Sequence, residues 1–139
     1  MGTIIRPELS KRNEYWIERN RYFELKHFCR QYTIWKEAYE GLDGLSKGNL
    51  NLIHTSKTGA VSDPTAKCAE ARLFYSERMD MIKQAAQETD SGLADYILAG
   101  VTEGLSYDRL RTKLRIPCGK DTYYELYRRF FWILNKKRS

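Results

Sequence analysis

At 139 residues the chain is long enough for one domain with a proper core, or for a small domain with a helical extension, and two large independent domains are excluded. Ten tyrosines and three tryptophans argue against intrinsic disorder, which is poor in such residues. The formal charge of +6 is unevenly placed: residues 105–139 carry ten basic and three acidic side chains, net +7, while the remainder carries 14 basic and 15 acidic, net −1. The whole positive excess therefore lies in the last quarter, the electrostatic footprint expected where phosphates are met. The plain alternative is a solubilising charge with a frayed tail over 135–139.

Taken in chain order, residues 1–20 show a mixed pattern, with Pro7 disfavouring a helix through Arg6, and are expected as weakly ordered chain or a short helix. Leu25, Phe28, Tyr32, Trp35 and Tyr39 then recur at intervals of 3 and 4, which predicts a helix over about 21–40. Gly41 and Gly44 are expected to stop it, with a kink near 32–33. Such an aromatic stripe is either core or a helix-partner seam. Phe28, Tyr32, Trp35 and Tyr39 are accordingly the candidate partner or homodimer surface.

Residues 44–62 are rich in Gly, Ser, Asn, Lys and Thr without either period, and read as a flexible surface loop. Asp63 and Pro64 supply a helix start, the aspartate as cap and the proline at a position whose amide needs no partner. Cys68, Ala71, Tyr75, Met79, Ile82 and Ala86 continue the 3 and 4 spacing, and no Pro or Gly interrupts 65–88, so a long helix follows. The two long helices can pack antiparallel through their stripes, or one can form a dimer seam. A break at 89–92 precedes a short helix over 91–102, which Gly104 closes.

Beyond Gly104, Ser106 is a good N-cap and Leu105 can staple against Leu110. Tyr107, Leu110 and Leu114 mark the buried face of a helix of two to three turns. Arg115 to Lys120 is a turn: Ile116 can plug the angle, Pro117 cannot continue a helix, and Gly119 tolerates positive φ. A last helix, capped by Asp121 or Thr122 and reaching about Leu134, buries Tyr123, Tyr127, Phe130 and Leu134. Near its start Lys120, Thr122, Tyr124, Glu125 and Arg128 offer donors, acceptors and a stacking ring for a major groove. Lys113, Arg115, Arg129 and the tail would meet phosphates. An ordinary helical hairpin with solvated charges is the competing reading.

The expected fold is all-α: two long helices followed by a C-terminal three-helix helix-turn-helix unit. The segments are an aromatic-rich helical stretch (1–43), a flexible loop (44–62), a long plus a short helix (63–104) and a basic helix-turn-helix (105–139), with 62–139 forming one unit. Cys29, Cys68 and Cys118 are odd in number and form no Cys-x-x-Cys pair, so neither disulfides nor a zinc site are expected, and His27 and His54 add no ligand set. No cofactor is implied. There is no charged-then-apolar leader, and no stretch approaches ~20 apolar residues, so no membrane partner is expected.

Glu103, Gly104, Ser106, Tyr107 and Asp108, followed by Thr122 and Tyr123, resemble the C-terminal helix-turn-helix of sigma factors, with a longer connection at Ile116 to Lys120. The wider layout, with Asp63-Pro64-Thr65 before the long helix, is similar to small phage and prophage late-transcription regulators of the RinA and ArpU type. That resemblance implies a cytoplasmic protein of the bacterial host cell. It would bind double-stranded DNA as a sequence-specific transcriptional regulator, with RNA polymerase or another host protein as a further partner. An enzyme is not expected, since no phosphate loop, His-Glu-x-x-His or Ser-His pairing is present. Two alternatives remain: a phage-encoded protein-binding inhibitor of a host nucleoprotein machine, and a DNA-packaging accessory protein.

Overall fold

The computed structural model describes residues 12–48 and 64–139, and every regular element among them is a helix. In chain order these are α1 (Arg19–Arg30), α2 (Tyr32–Gly48), α3 (Pro64–Thr89), α4 (Ala94–Glu103) and α5 (Tyr107–Arg109). α5 runs on as a single wide π turn (Leu110–Leu114), and α6 (Lys120–Lys137) follows. No helix among the described residues is long and apolar enough to cross a membrane. Residues 1–11, and 49–62 of the expected flexible loop, lie outside the described residues. Two compact units form, one from residues 12–31 with Met81–Ser139, the other from the described parts of Tyr32–Asp80.

The single helix expected over 21–40 is two helices. Glu18 caps α1 by accepting the amides of Asn20 and Arg21 at 2.9 and 3.2 Å. α1 ends where the Gln31 amide bonds back only three residues, to Phe28 at 3.2 Å. This is a tight turn, and the β-branched Thr33 and Ile34 that follow are weak helix formers. The kink expected at 32–33 is thus a break one residue earlier. Gly41 and Gly44 do not stop α2, which continues to Gly48. A glycine in a helix costs only about 1 kcal/mol, too little to end one whose other residues support it.

In the Tyr32–Asp80 unit, Arg72 of α3 lies over the Tyr39 ring of α2, 5.0 Å from its centroid, and donates to its hydroxyl at 3.2 Å. The Cys68 thiol approaches the Leu42 carbonyl at 3.6 Å. Rising numbers on α3 thus meet falling numbers on α2, so the pair runs antiparallel.

In the other unit α1 packs on α4 and α6, and α4 packs on α6 and the π turn. Leu25, Ile82, Ile97, Leu110, Phe130 and Leu134 are completely buried there, each such side chain contributing roughly 1.5–3 kcal/mol by leaving water. α4 ends as expected at Gly104, whose φ of +71° is left-handed, and the amides of Gly104 and Leu105 both return to the Gly100 carbonyl. A Cβ at Gly104 would also run into the Arg30 guanidinium.

Further expectations about the π turn and α6 are corrected. Leu114 is 44 % exposed rather than buried beside Tyr107 and Leu110. The wide turn lags each later side chain relative to an α-helix and takes Leu114 off that face. α6 begins at Lys120 with Gly119 as N-cap, not at an Asp121 or Thr122 cap; Asp121 instead sits in the first turn, where its charge favours the helix dipole. α6 also runs past Leu134 to Lys137. Its buried set gains Phe131, which meets Tyr22 of α1 edge-on at 5.3 Å, while Tyr127 is half-buried.

Candidate nucleic-acid interface

The expected DNA contacts lie on the π turn, the connection after it, and the first half of α6. That region is held from beneath by Tyr107, Leu110, Ile116 and Tyr123, a buried cluster against which Leu105, Cys118, Tyr124 and Tyr127 pack. Ser106 caps α5 by accepting the Arg109 amide at 3.2 Å. Tyr107 donates its hydroxyl to the Cys118 carbonyl at 2.6 Å, and its own amide donates to the Tyr124 hydroxyl at 3.3 Å. Ile116 is buried in the angle between the two helices. One apolar plug and two hydrogen bonds thus bind α5, the connection and α6 to each other.

Tyrosines carry this packing further. Tyr123 lies against Tyr107, Tyr124 and Tyr127, with ring centroids 6.1, 5.1 and 6.2 Å away. The Tyr127 and Tyr22 hydroxyls bond at 2.8 Å. Burial pushes the Tyr123 and Tyr127 phenols far above the ordinary tyrosine value, and neighbouring tyrosines add to the shift. Burial also raises the thiols of Cys29 and Cys118, with Asp90 contributing at Cys118, so neither is a ready thiolate.

The charged side chains divide into two sets. Lys137 pairs with Glu88 at 2.6 Å, and Arg138 reaches Glu24 at 3.6 Å while covering the Phe28 ring at 3.9 Å. Lys136 sits over Trp132 at 3.4 Å. The tail, expected to be frayed or to meet phosphate, is therefore engaged within its own unit. By contrast Lys113, Arg115, Lys120 and Arg129 are exposed and make no ion pair. Arg109 and Arg111 share that state, and sequence reasoning had not chosen them. The signal was present, because burying Tyr107 and Leu110 turns 109 and 111 outward.

Arg115 adopts φ +57°, the left-handed region that side chains disfavour. Its amide returns to the Leu110 and Arg111 carbonyls and closes the π turn.

On α6, Thr122, Glu125 and Arg129 are exposed, on the side opposite Tyr123, Phe130 and Leu134. Glu125 and Arg129 stand i,i+4 yet form no ion pair. Tyr124 is half-buried, with its hydroxyl occupied by the Tyr107 amide, so it braces the turn. Arg128 is half-buried, and its Nε is sealed from water without an acceptor. Of the seam expected as a partner surface, Phe28, Tyr32 and Trp35 are buried within the chain, and Tyr39 is half-buried under Arg72. Phe28, Tyr32 and Trp35 thus pack inside the chain, while Tyr39 keeps a partly open edge.

No protein-family model, curated protein or solved structure matches the chain.

Proposed function

We propose that the chain is a sequence-specific DNA-binding transcriptional regulator of the phage or prophage kind, with α5 and α6 acting as a helix-turn-helix. The observation that carries this reading is the set of exposed, unpaired cations Arg109, Arg111, Lys113, Arg115, Lys120 and Arg129 on a rigidly braced pair of short-connected helices. Cations left without internal partners keep their full charge for phosphates, and bracing lowers the ordering cost of binding. Thr122, Glu125 and Arg128 supply the mixed donors and acceptors with which base edges are distinguished, while Lys113, Arg115 and Arg129 position the backbone. α6 begins without a side-chain cap, so its first amides remain available to an anion. Nothing of this chemistry calls for an enzyme, a metal or a cofactor.

The test is selection from a pool of random duplexes, followed by titration of an enriched duplex against competitor DNA. Enrichment of a defined sequence, with Arg128→Ala weakening it by ~1–3 kcal/mol, is expected. Equal affinity for all duplexes overturns the reading. Retention of a host protein after nuclease treatment, unaffected by removing the charges of Arg128 and Arg129, would instead favour an inhibitor of a host nucleoprotein machine.

A further inference from the structure

Four large apolar side chains stand exposed among the described residues: Ile34, Leu73, Phe74 and Leu114. Three of them sit in opposite electrostatic settings. Leu73 and Phe74 are neighbours on α3, 58 % and 46 % exposed. Glu70, Glu77 and Asp80 flank them on the same outward side at helical spacing, all exposed and none in an ion pair. The Phe74 ring is held in place by Arg78, whose guanidinium lies 3.4 Å from its centroid and donates to the Phe74 carbonyl at 3.0 Å. This is a stiff apolar knob whose rim carries three carboxylates against the cations Arg78 and Lys67, a net charge of −1. Leu114 has the converse setting: an exposed leucine at the end of the π turn, with Arg111, Lys113 and Arg115 exposed and unpaired around it.

We infer that the Leu73–Phe74 surface of one copy docks on the Leu114 surface of a second copy, giving a head-to-tail, charge-matched self-association. A two-fold pairing of the α3 surface with itself is the less favourable alternative, since it would bring the Glu70, Glu77 and Asp80 rims together, and like charges across an interface are repulsive. The two surfaces differ, so each copy offers one of each and the assembly closes as a ring or grows as a chain. Because the basic partner surface is the one assigned above to phosphate, DNA and the second copy compete for it. Only this competition rests on the DNA reading; the self-association does not.

The experiment is light scattering of the full chain over a micromolar concentration series, at about 50 mM and about 500 mM salt, where screening lengths differ about threefold. Mass is expected to rise with concentration at low salt and to fall back at high salt. Leu73→Ser and Leu114→Ser, with helicity checked by circular dichroism, should each weaken association about tenfold or more. Glu77→Lys alone and Lys113→Glu alone should weaken it too, and mixing these two variants should restore it, because the reversed rims of the two copies again match. A monomer throughout the low-salt series overturns the inference, as does unchanged association in the folded leucine variants or failure of the mixture to recover. Self-association that survives in a chain binding no DNA would leave this inference standing and remove the regulator reading alone.

Discussion

Tyr107 and Cys118 are joined by a 2.6 Å hydrogen bond from the tyrosine hydroxyl to the cysteine carbonyl, and this ties the start of α5 to the residue before the cap of α6. The bond spans the whole connection that distinguishes this chain from a shorter-turned helix pair. Tyr107→Phe keeps the ring against Tyr123 but leaves the carbonyl without its donor. A loss of about 0.5–1.5 kcal/mol in urea unfolding is expected, with unchanged helicity. If binding depends on the angle between the helices, DNA affinity should fall by more than stability alone explains at temperatures where both proteins are folded.

The same substitution at two helical glycines should have opposite signs. A Cβ at Gly41 meets nothing within 4 Å, in an exposed stretch of α2. Gly41→Ala should therefore stabilise by about 0.5–1 kcal/mol through reduced freedom of the unfolded chain. At Gly100 a Cβ would collide with the Tyr123 hydroxyl and crowd Leu110 at 3.3 Å. Gly100→Ala should destabilise by roughly 1–3 kcal/mol. That hydroxyl is buried with no hydrogen-bond partner, so removing it costs little. Tyr123→Phe should be neutral or stabilising, and it should relieve much of the Gly100→Ala penalty when the two are combined in thermal melts.

These contrasts explain what a reader of the sequence could see. The 64–89 helix was legible because its unbroken length and its 3,4 stripe agree, the expected Asp63 cap lying outside the described residues, and the Gly104 stop because a left-handed terminus favours that residue. The ends of α2 and α6 were not: Gly41 is a weak breaker, and Gly119 replaced the polar cap that pattern alone would choose. The charged surface was half legible. Helical phase exposed Arg109 and Arg111 as plainly as Lys113, but the partners of Lys137 and Arg138 lie 49 and 114 residues away in sequence, at Glu88 and Glu24, beyond any local pattern. The aromatic seam was seen as a stripe, but periodicity cannot say whether a stripe faces its own chain or another.

The buried phenols give a pH prediction. Tyr123 and Tyr127 are held far above their unfolded value near 10. A raised pKa in the folded state means tighter proton binding there. The stability it contributes is fully present below about pH 10 and is lost as pH rises toward the folded values. In an alkaline titration followed by phenolate absorbance and circular dichroism, Tyr123 and Tyr127 should ionise only together with loss of helicity. Smooth ionisation of all ten in a protein that stays folded would contradict the packing around Tyr22 and Tyr127.

Arg115 combines conformational strain with exposed charge, and substitutions there can separate the two. Its φ of +57° places a side chain where glycine is at ease. Arg115→Gly relieves that strain and should raise stability by roughly 0.5–1 kcal/mol. It also removes one unpaired cation from the proposed phosphate surface, so the slope of log affinity against log salt should fall by about 1. Arg115→Ala should show the same loss of slope without the gain in stability, and Arg115→Lys should keep the slope. A glycine variant that is more stable and binds duplex DNA with an unaltered salt slope would keep the left-handed assignment and remove Arg115 from the interface. A glycine variant that is less stable would instead point to packing by the arginine stem across the π turn.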